Sequence, residues 1–224
     1  MKDFFIHPAQ TNLELYAQAI ALGYSRVQCR VLSDAYVFAL RQVFPLARGS
    51  GKPFIAHLVG TASLVMESGC PDDWVIGALL HALYQHRVPF ESSLAPGERR
   101  VVLADRFGTQ VDEIVHRYTS FESEDLVLFM GAGVSGDTDV LTLRLADELE
   151  DVCGYALALH GNTGSDDFGL RGGYPWRRDA KTAEAPTLLE LTHRLGLDGM
   201  HRGFIHWLDF ESTPAALAEM RTGW

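Results

Sequence analysis

Apolar residues recur at steps of three and four along most of this chain, while period-two alternation bounded by turn residues is scarce. That spacing lets each segment turn one stripe toward a common core as a helix and leaves little material for a sheet. The expected fold is therefore all-α. With 224 residues and 47% hydrophobic content, the chain can bury a sizeable core and suits one large domain over 1–224 better than two small ones. A core of about 26–160 is expected, completed by a loop and helices over 161–224.

The local signals divide the chain as follows. A first helix is expected to start after Asn12 and end at Gly23, and Ser25 suits the cap of a second that runs to about Phe44. "PLARGSGKP" interrupts the pattern, and Pro53 suits the first turn of a third helix ending near Glu67. Pro71, Asp72 and Asp73 open a fourth, where carboxylates complement the helix dipole, and it is expected to reach His86. Shorter helices follow at about Pro96 to Phe107 and Gln110 to Thr119, then a long one from Thr138 to His160. Short helices near Thr187 to Leu195, Met200 to Trp207 and Pro214 to Met220 finish the chain. Between them "GNTGSDDFGLRGGYPWRRDAKTAEAP" reads as a long loop. Its Arg171, Tyr174, Trp176, Arg177 and Arg178 suit either a lid over an anionic or aromatic substrate or a loop anchored by Trp176.

A formal net charge of -10 supplies no basic field for a phosphate backbone, so nucleic acid is not an expected partner. The three cysteines, Cys29, Cys70 and Cys153, are dispersed and form no CxxC pair, which fits buried thiols in a reducing compartment. No stretch approaches ~18 consecutive apolar residues, and the amino terminus lacks the pattern of a secretory signal. A soluble, cytoplasmic protein with no membrane partner is expected.

Three polar residues interrupt otherwise apolar helices. His57 lies in "PFIAHLVGTASLV", His81 in "VIGALLHALYQH" and Asp147 in "DVLTLRLADELEDV". A buried imidazole needs a partner, and an isolated buried carboxylate is costly unless it is paired or bound to a cation. Neutral imidazole and carboxylate projecting inward from packed helices suit Mn, Fe or Zn. The alternative is a set of core histidines satisfied locally beside a solvated aspartate.

The order and spacing of "RGSGKPFIAH", "GALLHAL", "FGTQVDEIVHRYT" and "LRLADELEDV" resemble the HD-domain metal-dependent phosphohydrolases, most of all the hydrolase domain of RelA/SpoT-type alarmone enzymes. The resemblance spans about Arg48 to Val152. It implies an HD-like helical bundle with additional amino- and carboxy-terminal helices. It also implies one divalent cation held by a first His, a His-Asp doublet and a later Asp. His57, His81 and Asp147 occupy three of those positions, and the doublet reads His81-Ala82. The acidic pair that follows in the family is replaced by Gln85 and His86.

The resemblance thus points to a metal site with divergent ligands, with His86 as a replacement ligand or general base and Arg48 orienting an anionic substrate. The expected activity is a metal-dependent reaction on a small anionic molecule, either phosphoester hydrolysis or oxygen-dependent oxidation at iron. The alternative is an inactive HD-like protein that binds a nucleotide or a partner protein. Thr119, at the end of its helix, suits a cap or packing role. "GAGVSGD" lacks the Lys and the preceding strand of a phosphate-binding loop.

Overall fold

The computed structural model describes residues 3–48, 51–85, 88, 94–121, 138–153 and 185–209. Its elements are helices: α1 (Asn12–Ala21), α2 (Arg26–Val43), α3 (Phe54–Glu67), α4 (Asp72–Leu80), α5 (Pro96–Phe107), α6 (Thr109–Thr119), α7 (Thr138–Val152), α8 (185–194) and α9 (Asp198–Asp209). Among the described residues, the extended pairing consists of an isolated antiparallel bridge between Ala47 and Pro53. The fold is all-α, as the periodicity implies. No helix in the described residues is long and apolar enough to cross a membrane.

Cap chemistry sets the element starts. The Thr11 hydroxyl accepts from the Glu14 N–H at 3.2 Å, so Thr11 rather than Asn12 caps α1. Gly23, at φ +87°, takes the left-handed turn after α1 that a side chain would resist. Ser25 and Gln28 cap α2 reciprocally, each side chain bonding the other's backbone N–H.

α3 is the central element. Every residue from Ala56 to Met66 is buried, and α1, α2, α4 and α7 all pack against it. A helix that is apolar all round can be buried all round, so "IAHLVGTASLVM" specifies its own position in the bundle. A polar group such as His57 is therefore held far from solvent. α4 lies against α3 and also approaches α6 closely at Gly77, where an added Cβ would stand 2.9 Å from Ile114 Cγ2.

α4 ends at Leu80, not near His86, and the reason is local. His81 Nδ1–H donates to the Ala78 carbonyl at 2.7 Å, so a side chain competes for a carbonyl in the helix's last turn. Tight turns follow, with Leu83 N–H on Leu80 O and Gln85 N–H on Ala82 O, both at 3.0 Å. Tyr84 pins this turn by donating to Asp112 Oδ1 at 2.6 Å, while Arg100 grips Asp112 Oδ2 at 2.6 and 2.9 Å. His81 thus sits where the chain leaves the helix, with its orientation fixed from both sides.

Smaller differences from the expected boundaries follow the same physics. α6 begins at Thr109, directly after Gly108 at φ +97°, and α9 extends beyond the expected Met200–Trp207 at both ends. α7 ends at Val152; the expected continuation to His160 lies outside the described residues, as do most of the glycine-rich loop and the 214–220 helix. At the amino terminus, Ala9 N–H bonds Ser63 Oγ at 3.0 Å, and Trp207 Nε1 donates to Ile6 O at 3.1 Å. These contacts lay the first segment across the bundle between α3 and α9.

The α4–α6 approach is testable. Gly77→Val should lower the unfolding free energy by about 1–3 kcal/mol through overpacking against Ile114. Gly97→Ala, whose added Cβ would meet nothing within 4 Å, should leave it nearly unchanged. Urea titrations of the two variants check this.

Candidate metal centre

Three elements bring the site together. α3 supplies His57 from its second turn, the end of α4 supplies His81, and α7 supplies Asp147. All three are buried, and one donor atom from each lies within 4.8 Å of the others. His57 Nε2 is 3.0 Å from Asp147 Oδ1, and His81 Nε2 is 3.8 Å from the same oxygen. Donors sharing an ion with bonds of ~2.1 Å stand about 3.0 Å apart at right angles and about 3.4 Å apart at tetrahedral angles. The observed separations are of that order.

The tautomers agree with this arrangement. The Ala78 carbonyl can only accept, so His81 carries its proton on Nδ1 and turns the Nε2 lone pair toward Asp147. His57 Nδ1 lies 2.7 Å from Glu150 Oε2. Burial, aided by the positive charge of Arg48, pushes the His57 imidazole down to about 4 against the pull of Asp147 and Asp151. Burial likewise lowers His81. His57 is therefore neutral at pH 7 and has one proton for two carboxylate contacts. With that proton on Nδ1, the Nε2 lone pair and a carboxylate lone pair face each other. Both atoms, His57 Nε2 and Asp147 Oδ1, are buried without a hydrogen bond. Two acceptors at 3.0 Å repel, and a proton or a cation between them relieves that repulsion.

The second oxygen of Asp147 is already engaged. Tyr118, at the end of α6, donates its hydroxyl to Asp147 Oδ2, and its ring packs edge-on against His81 with centroids 4.9 Å apart. Burial and the Asp147 charge hold the Tyr118 phenol well above its usual range, so it remains a donor. Oδ1 is thus the oxygen left to meet a cation.

The surrounding carboxylates each have a basic partner. Asp151 pairs with Arg48 at 2.5 Å, Glu148 with Arg144 at 2.6 Å, and Glu150 with Lys52. Burial pulls Lys52 down to about 7 against nearby acidic groups. Among the described residues, the Lys or Arg nitrogen nearest Asp147 is Arg144 Nη1 at 3.9 Å. A tight loop makes two of these pairs possible: Arg48 N–H bonds Lys52 O at 2.8 Å, so both side chains emerge beside the acidic end of α7.

The sequence-derived candidates thus fare differently. His57, His81 and Asp147 converge. Arg48 stands beside them with its guanidinium on Asp151, stacked 5.7 Å from the Phe54 ring, and its side chain is 18% exposed. His86 lies outside the described residues. Ala82 is fully buried and offers no donor. Thr119 bonds its own helix at Val115 O, a packing role. His201 bonds Thr192 Oγ1 and Leu189 O, away from the centre. Sequence reasoning missed Glu150 and Tyr118. The spacing of Asp147, Glu150 and Asp151, at i, i+3 and i+4, signals one acidic helix face; nothing comparable marks Tyr118.

Residues 47–122 match the model of a domain of unknown function, DUF6817. That stretch includes Arg48, Lys52, His57, His81 and Tyr118 and stops short of α7. No curated protein matches the chain.

The buried neutral imidazoles make stability depend on pH. Between the unfolded value of 6.5 and about 4, the unfolded chain takes up a proton at His57 that the folded protein refuses. Stability therefore falls on acidification through that window, by up to about 1.4 kcal/mol per pH unit for each such group. Urea midpoints of chelator-treated protein at pH 7, 6, 5 and 4 check this, and His57→Gln should flatten the upper part of the profile.

Proposed function

We propose that the chain is a divergent HD-type protein in which His57, His81 and Asp147 hold one divalent cation, and that it acts on a small anionic substrate. The observation that carries this reading is the meeting of His57 Nε2 and Asp147 Oδ1, both buried, 3.0 Å apart and without a hydrogen bond. Two imidazoles and one carboxylate suit Mn, Fe or Zn, and three protein ligands leave positions for water or substrate.

The charge balance supports an anionic substrate. Asp147, Glu148, Glu150 and Asp151 face Arg48, Lys52 and Arg144, which leaves one negative charge. A divalent ion reverses the sign to one positive, buried beneath a guanidinium that can help orient an anion. A bound ion would supply Lewis acidity and a more acidic coordinated water. The protein's own contribution is orientation: the Ala78 carbonyl and Glu150 aim the two imidazoles, and Tyr118 holds Asp147 by its other oxygen. Phosphoester hydrolysis fits this site with any of the three metals; oxidation by oxygen requires iron.

A second reading rests on Ala82. With no donor where the resemblance calls for a carboxylate, the protein would keep the fold and bind a nucleotide or partner without turnover.

Elemental analysis of protein purified without a metal-affinity tag should find close to one Mn, Fe or Zn per chain. His81→Ala and Asp147→Ala should each abolish it. Adding metal to the stripped wild type should raise Tm in proportion to occupancy, with no effect on either variant. Stoichiometric metal without turnover on phosphomonoester, phosphodiester and nucleotide panels, and without oxygen consumption by the iron form, would favour the second reading. Metal-free wild type after reconstitution would overturn both the cation and the activity built on it.

A further inference from the structure

We propose that Glu150 is the positioning residue of this centre: its carboxylate fixes the His57 tautomer so that Nε2 is the donor, and Lys52 and Gly60 hold the carboxylate in place. The inference rests on the metal reading above and adds to it a residue outside the ligand set.

A neutral imidazole binds metal through whichever nitrogen lacks the proton, and that choice is made by the partner of the other nitrogen. For His81 the partner is a backbone carbonyl, which no substitution of a side chain removes directly. For His57 it is a charged side chain, Glu150, whose Oε2 lies 2.7 Å from Nδ1. A carboxylate there draws the imidazole proton toward itself and makes the opposite nitrogen a stronger donor than an amide or carbonyl would.

Glu150 is 2% exposed, and its burial is arranged from several directions. Lys52 Nζ contacts Oε1, and Gln10 Nε2 approaches the same oxygen at 3.4 Å. Oε2 is left for His57. Space is supplied by Gly60 on α3: a Cβ there would stand 2.6 Å from Glu150 Cγ and Oε1. The glycine lies three residues after His57, in the adjoining turn of the same helix. Lys52, Gly60 and Glu150 thus come from three places in the sequence to deliver one oxygen to one ring nitrogen. His57, Glu150 and Asp151 are also close enough to form a cation cluster of their own. Lys52 and Arg48 already supply its positive charge, which assigns Nδ1 to hydrogen bonding and Nε2 to the metal.

The test reads the tautomer and the metal separately. In stripped wild-type protein, two-bond 1H–15N correlation spectra should show His57 protonated on Nδ1. Glu150→Gln should weaken Mn or Co binding by about 10–100-fold and shift the His57 nitrogen resonances in the apo protein. Gly60→Ala, which alters no polar group, should change both readouts in the same direction by displacing the carboxylate. Lys52→Met combined with Glu150→Gln removes both buried charges together and guards against misfolding; it should keep the fold and the weakened binding. Unchanged metal affinity and tautomer in Glu150→Gln or in the double variant would overturn the proposal, as would Nε2 protonation in the wild type. A wild type with the Nδ1 tautomer but no metal affinity would instead overturn the centre itself and reduce Glu150 to a structural partner of His57.

Discussion

One proton on one buried ring organises this site. Burial keeps His57 neutral, yet carboxylate oxygens stand 2.7 Å from Nδ1 and 3.0 Å from Nε2. A neutral imidazole can satisfy one such contact and not both. The Glu150 contact has hydrogen-bond geometry and the Asp147 contact does not. The proposed cation would answer that contact, and the neighbouring groups leave room for it: Tyr118 takes Oδ2, and the basic side chains are paired with other carboxylates.

The depth of the site follows from α3. A helix buried along its whole middle can hold an imidazole away from water, where electrostatic contacts are strong and unpaired ones are costly. The price of that depth is charge control. Four acidic residues near the end of α7 would be untenable beside a dry core without Arg48, Lys52 and Arg144, and a tight loop before α3 supplies two of those three. The His57 helix, the side chains of Arg48 and Lys52 and the acidic end of α7 therefore form one electrostatic unit.

Much of this was legible in the sequence for a physical reason. His57, His81 and Asp147 break long apolar runs, and a polar residue on a buried face carries information because burying it is costly. Helix periodicity and caps located α2, α3 and α5 closely for similar reasons, since their signals are local. The end of α4 was not legible: it depends on the His81 ring reaching Ala78 and on Tyr84 reaching Asp112, contacts that periodicity does not encode. Glu150 was hidden in a charged run that also reads as a solvated face, and Lys52 in a loop that reads as exposed. Their burial is set by Gly60 and by the pairing of Ala47 with Pro53 and Arg48 with Lys52, both tertiary effects. Tyr118 looked like an ordinary core aromatic because only its hydroxyl is unusual.

X-ray absorption of the metal-loaded protein tests the central claim most directly. The account predicts a mixed nitrogen and oxygen shell at about 2.0–2.2 Å, with the outer-ring scattering of two imidazoles, and loss of that signal in His57→Ala. A shell of oxygen ligands alone, unchanged in that variant, would place the metal on surface carboxylates and contradict it.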